Sequence, residues 1–457
     1  MRFLYLVALC TLICSPALAD HAPEIKKLAN PLIESKSIVG CVVGVIENGK
    51  LEVYGFGEIH RGKGDKPDGD TLYEIGSMTK AFTGTLLGDM VNRHVVKLDD
   101  PLQDFLPPGV KLQTYKDQPI KLVDLASQSS GLPRMPYNMG HKDIKNPYAD
   151  YTPEQLYEFL GKYPLSRPPG LYEYSNLGMG TLGCVVAKKA GKSYEQLVVE
   201  TICDPLKMAD TRIKLSDDQR KRLAPPYDVE LNDEKNWDFD ALAGAGALRS
   251  TANDILKFAD ASLSDDDRPV VKAIHESWKP HYGRPGEIRV GLGWHLARDG
   301  VSWWHNGQTA GYTSALFVYP RKHLAIVVLC NTATDHTMEL AEKTLRAMLG
   351  NKPEEMSFRK TVDVDPAILK SYEGTYALSP FFAITITLED GKLMAQATAQ
   401  QKFQIFATSN SEFFYKVVDA QISFEKGDDG QVDKLILHQN GLDQPALKLP
   451  NDDTKKP

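Results

Sequence analysis

The stretch Ile38-Val39-Gly40-Cys41-Val42-Val43-Gly44-Val45-Ile46, then Glu47-Asn48-Gly49-Lys50, then Leu51-Glu52-Val53-Tyr54-Gly55-Phe56-Gly57-Glu58-Ile59, decides the fold class. Both long runs have a strand-like pattern, and the Asn-Gly dipeptide between them is the turn signal of a hairpin. From about Tyr73 to Phe258 the pattern turns mostly helical, broken by loops such as Leu106-Pro107-Pro108 and Pro168-Pro169-Gly170. Strand patterns return at Val290 to Leu296, Val301 to Trp304, Ser314 to Tyr319 and Leu324 to Leu329. Strands at both ends of a unit, with helices between, most simply build one antiparallel sheet flanked by helices with a helical insertion. The expected class is α/β.

A polar linker, about Gly350 to Asp365, precedes a segment of different character. In Ala383 to Leu388 the apolar Ile384, Ile386 and Leu388 alternate with Thr385 and Thr387, and Glu389-Asp390-Gly391-Lys392 supplies a turn. Similar runs follow at Lys392 to Ala397, Phe413 to Val418, Gln421 to Phe424 and Lys434 to His438, each bounded by Gly, Asp or Asn. The last part therefore reads as a separate all-β unit, a small barrel or curved sheet.

The whole chain, at 457 residues, is too long for one core, and the expected division is residues 22–350, a linker over 351–364, and 365–457. Its 42% hydrophobic and 25% charged residues exclude a disordered or fibrous chain. With 53 basic against 60 acidic residues, the net charge of −7 leaves no cationic excess for a phosphate backbone or an anionic lipid surface. Nucleic acid is not an expected partner, and the oligomeric state is not legible.

Met1-Arg2, the apolar run Phe3 to Ile13 and Ala17-Leu18-Ala19 have the order of a secretory signal, with cleavage expected after Ala19. The apolar run is short of the roughly 20 residues a membrane span requires, so stable membrane insertion is not expected. The expected location is outside the cytoplasm: periplasmic in a Gram-negative cell, secreted otherwise. Cys41, Cys184, Cys203 and Cys330 remain after cleavage and lie mostly in apolar runs, which favours buried thiols over a disulfide frame. Neither Cys-x-x-Cys nor His-x-x-x-His spacing occurs, and no metal or other cofactor is expected.

Three short motifs carry chemistry. Gly76-Ser77-Met78-Thr79-Lys80 leads into a helical pattern with Met78, Phe82, Leu86 and Met90 every four residues. The i, i+3 spacing puts Lys80 over Ser77, so an amine whose pKa is lowered by burial could take the serine proton. The same spacing also fits an N-cap serine with an exposed lysine. In Pro169-Gly170-Leu171-Tyr172-Glu173-Tyr174-Ser175-Asn176, a phenol and a carboxamide straddle one residue at the start of a helix. Tyr174 could move a proton, and Asn176 could bond a substrate amide or simply cap the helix. Trp304-His305-Asn306-Gly307-Gln308 closes a strand; Gly307 permits close approach to the backbone, and the N–H of Gln308 could join that of Ser77 in an oxyanion hole.

Taken in order, Ser77-x-x-Lys80, Tyr174-x-Asn176 and His305-x-Gly307 resemble the penicillin-recognising serine hydrolases: class C β-lactamases, low-molecular-mass DD-peptidases and related esterases. Ser129-Ser130-Gly131-Leu132-Pro133, Pro205-Leu206-Lys207-Met208, Gly244-Ala245-Gly246-Ala247-Leu248-Arg249-Ser250-Thr251-Ala252 and Gly291-Leu292-Gly293-Trp294 also look like recurring segments of that family. The likeness spans roughly Ile25 to Leu349, and the last 90 or so residues look like the small β-barrel, lipocalin-like in type, appended to some members. It implies a β-lactamase/transpeptidase-like sheet and a mechanism in which Ser77 attacks a carbonyl. In that mechanism Lys80 and Tyr174 manage the proton and Asn176 orients the acyl side chain.

One departure stands out. Class C enzymes usually carry Lys-Thr-Gly at the third motif, and here the first position is His305, mostly neutral at pH 7 unless a neighbour raises its pKa. The leading expectation is a hydrolase that forms an acyl-enzyme with peptide-like amides, D-alanyl peptides and possibly β-lactams. A short-chain carboxylesterase on the same residues and a penicillin-binding sensor that acylates without turnover are the alternatives.

Overall fold

The computed structural model describes residues 21–450, except positions 141, 353, 381, 399, 401, 428, 429, 440 and 441; the expected signal segment 1–19 lies outside the described residues. The hairpin forms where the turn signal puts it, β1 (Gly40–Glu47) pairing with β2 (Lys50–Gly57) from Gly40↔Gly57 to Glu47↔Lys50. Asn48 and Gly49 have φ of 49° and 80°, the left-handed pair that a tight hairpin turn requires. The remaining strands of this part are β3 (Leu72–Glu74), β4 (Arg249–Thr251), β5 (Arg289–Val290), β6 (His295–Leu296), β7 (Trp303–Gln308), β8 (Thr313–Tyr319) and β9 (Leu324–Cys330). Seven of them form one antiparallel sheet in the order β2-β1-β9-β8-β7-β6-β5, and β3 and β4 pair separately. The two ends of the chain segment meet within the sheet, with β1 against β9.

Both faces of the sheet are covered, which is why Leu324–Cys330 is apolar at every position and wholly buried. On one face Val43, Val45, Phe317, Ile326 and Val328 pack against Leu28 and Leu32 of α1 (Ala22–Glu34) and Leu340 and Leu345 of the helix His336–Met348. On the other, Val42, Ile46, Leu316, Val318, Val327 and Leu329 join the large core that contains α2 (Thr79–Asn92) and the helix Ala252–Leu263. α2 is buried nearly all round: Met78, Phe82, Leu86 and Met90 are each at most 1% exposed, and Phe82 stacks on Phe258 at 4.4 Å between centroids. A helix so enclosed is held by its surroundings rather than by a polar face, a rigid base for the residues at its start.

The C-terminal part is a closed antiparallel barrel of eight strands: β10 (Gly374–Ser379), β11 (Phe382–Glu389), β12 (Lys392–Ala397), β13 (Lys402–Ala407), β14 (Glu412–Tyr415), β15 (Ala420–Lys426), β16 (Val432–Gln439) and β17 (Leu442–Lys448). Tyr376, Ile384, Ile386, Leu393, Ile422 and Leu435 fill it. Ala333 belongs to the same apolar cluster and Val229 packs against it, so the barrel is docked on the sheet-bearing part through apolar contact. Lys392 pairs with Glu230 at 3.0 Å across this junction, and the Asp335 N–H donates to the Lys416 carbonyl at 2.9 Å.

Several expectations are corrected. The run Val290 to Leu296 is two short strands, because Gly291 N–H turns back to the Trp294 carbonyl at 2.9 Å. The strand expected over Val301 to Trp304 is instead β7, Trp303 through Gln308, so the third motif is at a strand end as expected but as part of the paired strand. The barrel has strands at Gly374–Ser379, Lys402–Ala407 and Leu442–Lys448 that the alternation did not reveal, and the run expected to reach Val418 ends at Tyr415. Asn176 is the first residue of the helix Asn176–Ala190; the cap is Ser175, whose Oγ accepts from the Gly178 N–H at 2.8 Å. Cys41, Cys184, Cys203 and Cys330 are free thiols, three of them buried.

Candidate active site

Ser77 sits in a single 3-10 turn, Gly76–Met78, that runs directly into α2. The turn is held against the sheet by two close approaches. Gly307 in β7 faces the Ile75 carbonyl, and a Cβ there would stand 1.9 Å from that oxygen. Gly76 has φ 49° and lies against Gln308, where a Cβ would come within 2.6 Å of the Gln308 nitrogen. Only glycine fits either place. Ser314 Oγ donates to the Ile75 carbonyl at 2.8 Å and fastens the same point to β8. The backbone of Gln308 thus abuts Gly76, the residue before Ser77, a juxtaposition from which the Ser77 and Gln308 N–H groups could serve one oxygen.

One turn on, Lys80 is fully buried. Its Nζ lies 2.9 Å from Ser77 Oγ, 2.8 Å from Asn176 Oδ1 and 2.7 Å from the Ala245 carbonyl. Burial, reinforced by the nearby Arg134 cation, drives the amine well below its ordinary pKa. A neutral amine has two N–H bonds and one lone pair. The Ala245 carbonyl and Asn176 Oδ1 can only accept, so once Lys80 has lost its proton they take its two N–H bonds and leave the lone pair facing the Ser77 hydroxyl. Asn176 is held in that orientation because its Nδ2 donates to the Tyr148 hydroxyl at 3.2 Å, while Tyr148 O–H donates to Met135 Sδ at 3.5 Å.

Tyr174 reaches the same point from the loop before Asn176. That loop is pinned by the stretch Gln128–Pro133: Ser175 N–H donates to Gln128 Oε1 at 2.6 Å, Glu173 N–H to the Gln128 carbonyl at 2.8 Å, and Ser175 Oγ to the Pro133 carbonyl at 2.7 Å. The Tyr174 hydroxyl lies near that of Ser77. Burial pushes the phenol up to about 12, and the Ser77 hydroxyl and the Arg134 charge, which act to lower it, offset only part of that rise. Tyr174 is therefore a neutral phenol at pH 7. Lys80 Nζ is 4.9 Å from its ring centroid, and the Arg134 guanidinium carbon is 5.0 Å from it.

His305 completes the cluster but not as a cation. Its ring is 6.5 Å from that of Tyr174 and 5.1 Å from that of His295, which itself stacks on Trp304 at 4.6 Å. Burial, His295 and Lys80 all hold His305 well below the usual imidazole range, and burial with Lys80 takes His295 down to about 4. His305 Nδ1 lies 2.5 Å from the Asn306 carbonyl, an acceptor, so Nδ1 carries the proton and Nε2 presents a lone pair, buried without a partner. The Asn306 carbonyl acts to raise this pKa, and burial with the other neighbours outweighs it.

All seven residues expected from the sequence, Ser77, Lys80, Tyr174, Asn176, His305, Gly307 and Gln308, thus converge on one place, and Ser77 remains partly exposed there. Four participants escaped notice: Arg134, Tyr148, His295 and the Ala245 carbonyl. Arg134 directly follows the recurring segment Ser129–Pro133, and Ala245 lies within another, so both were within reach of the motif reading.

The sequence matches the Beta-lactamase family over residues 25–350. The chain belongs to the beta-lactamase family. Residues 359–450 match a separate domain of unknown function, DUF3471. Among its relatives, the D-alanyl-D-alanine-carboxypeptidase/endopeptidase AmpH of Escherichia coli (strain K12) is 28% identical over 358 residues, covering 72% of this chain and 90% of its own. Penicillin-binding protein 4* of Bacillus subtilis (strain 168) is 26% identical over 417 residues, covering 83% and 88%. A beta-lactamase/D-alanine carboxypeptidase from Yersinia pestis, solved with citrate, superposes with a TM-score of 0.63 at 24% identity over 72% of this chain and 97% of its own. A class C beta-lactamase gives 0.64 at 23% identity over 73% and 97%. The fold is that of these enzymes, and the chain is a serine hydrolase of the beta-lactamase and D-alanyl-D-alanine carboxypeptidase type.

Proposed function

We propose that this family member forms an acyl-enzyme through Ser77 with peptide-like amides, D-alanyl peptides and β-lactams among them. The observation that carries the reading is the buried Lys80 Nζ 2.9 Å from Ser77 Oγ, with the Asn176 Oδ1 and Ala245 carbonyl acceptors at 2.8 and 2.7 Å on its other sides. Lys80 takes the serine proton as Oγ attacks the carbonyl. The Ser77 and Gln308 N–H groups receive the developing oxyanion, the loss of either being worth on the order of a hundredfold to a thousandfold in rate. Tyr174, a neutral phenol, gives its proton to the leaving group and takes back the one that Lys80 received from Ser77. Water then releases the acyl group.

The neutral, buried His305 favours a second reading, a short-chain carboxylesterase, because the third motif supplies no cation for a carboxylate on the leaving group. Labelling with a fluorescent penicillin tests the first: the protein is expected to be labelled and Ser77→Ala not, and equal labelling of both would overturn the assignment. Comparing turnover of a nitrophenyl ester, a chromogenic cephalosporin and a D-Ala-D-Ala peptide separates the two readings. A burst without steady turnover would point to a sensor instead.

The same proposal places the enzyme outside the cytoplasm after cleavage following Ala19, with residues 22–350 as the hydrolase, 351–364 as linker and 365–457 as the barrel domain. N-terminal sequencing of the mature protein checks the cleavage. Among the described residues no helix is long and apolar enough to cross a membrane.

A further inference from the structure

A cavity of about 80 Å³ lies beside the Tyr174-x-Asn176 segment, between the hydrolase part and the barrel. Its walls include Arg134, Met135, Arg167 and Glu173 on one side and Phe382 and Thr398 of the barrel on the other. The Arg167 and Glu173 charges pair with each other. Among the described residues Arg134 forms no salt bridge, although its charge offsets part of the rise that burial gives the Glu173 carboxyl in the same wall; its guanidinium carbon lies over Tyr174 at 5.0 Å from the ring centroid, and its Nε is buried without a hydrogen bond. Burying part of an unpaired cation costs free energy unless an anion arrives to meet it. The volume is that of about two or three water molecules, enough for a carboxylate.

The position of the cavity selects which end of a substrate would reach it. Met135 touches Asn176 through its sulfur, 3.6 Å from Nδ2. The cavity is therefore on the Asn176 flank of Ser77, the acyl side in the reading proposed above, and none of its lining residues belongs to β7, which carries the neutral His305. We propose that this cavity is a subsite for a carboxylate carried on the acyl side chain of the substrate, with Arg134 as its binding residue and the barrel residues Phe382 and Thr398 closing its far wall. Arg is suited to the task because its planar fork can meet both carboxylate oxygens at once.

This subsite rests on the acyl-enzyme reading, and the test separates the two. The full chain is assayed with two nitrophenyl esters of the same length, the adipate monoester, which carries a terminal carboxylate on the acyl chain, and its neutral primary-amide counterpart. Arg134 also acts on Tyr174 and Lys80, so the quantity to follow is the ratio of kcat/KM for the two esters. Arg134→Gln is expected to lower that ratio by at least tenfold, and Arg134→Lys to restore a good part of it. A ratio within twofold of wild type in Arg134→Gln, or no restoration in Arg134→Lys, overturns the subsite. Undiminished turnover of both esters by Ser77→Ala would instead overturn the acyl-enzyme reading. Inhibition by free adipate gives a second measure for variants with low turnover: its Ki is expected to rise at least fivefold in Arg134→Gln, and an unchanged Ki counts against the subsite.

Discussion

Asn176 Oδ1 accepts a hydrogen bond from Lys80 Nζ at 2.8 Å, and this contact fixes which way the lysine lone pair points. The carboxamide is neutral, so it orients the amine without drawing a proton onto it. Asn176→Asp would set a carboxylate in the same place, raise the amine's pKa and keep it protonated. The expected outcome is a fall in kcat/KM at pH 7 of about a hundredfold to ten-thousandfold, the usual worth of a general base. The acid limb of the pH profile should move to higher pH in the variant; a limb that stays in place would count against Lys80 as the base.

The two histidines of the site should be silent near neutrality. His295 is brought down to about 4 and His305 well below its ordinary range, chiefly by burial. Both are neutral above their lowered pKa values, so activity across pH 5.5 to 8 should show no step from imidazole. Imidazole resonances followed by NMR over that range should not shift for these residues. A titration near the ordinary 6.5 would refute it.

Three residues before Ser77, Glu74 is paired across β3 and β4 with Arg249, both nearly buried, at 3.1 Å. Glu74 also accepts from the Trp237 N–H and from Asn236 Nδ2, each at 3.0 Å. Arg249→Met would leave that carboxylate buried without its cation, and the expected loss of stability is about 3–5 kcal/mol. Chemical denaturation measures it. A loss under about 1 kcal/mol would show that the strand pair does not depend on the charge.

Barrel docking rests on apolar contact, with Val229 and Ala333 against the barrel cluster, more than on the Lys392 and Glu230 pair, both of which are exposed. Val229→Asn should cost about 1–3 kcal/mol and separate the unfolding of the two parts into distinct calorimetric transitions. Lys392→Ala should change stability by no more than about 1 kcal/mol. The reverse ranking would assign the docking to charge.

The sheet and the nucleophile were legible because their signals are local: a two-residue turn between β-branched runs, and side chains spaced to share one helical face. The fine placement was not. Gly291 and Gly293 split one apolar run into two strands, and the third motif extended a strand that its polar residues Asn306 and Gln308 disguised. In the barrel, Pro445 lies within β17, where a sequence reading disfavours a strand. Within the site, the Ala245 carbonyl is a backbone atom that no residue type announces, and Tyr148 acts only through Asn176. Lys80 and His305 were identified as residues, but their protonation states depend on burial and on each other, which a linear sequence does not display.

The buried amine also couples folding to solvent acidity. In the unfolded chain Lys80 holds its proton up to its ordinary value near 10.5, whereas in the native state it gives that proton up well below. Between those two points assembly of the core expels one hydrogen ion for this residue, and the native state gains on the unfolded one as the medium becomes more alkaline; below the native value both states are protonated and the penalty is present in full. The chain thus carries a thermodynamic burden at its centre so that an alcohol can be deprotonated there, and replacing Lys80 by methionine should yield a protein that is inert and harder to unfold.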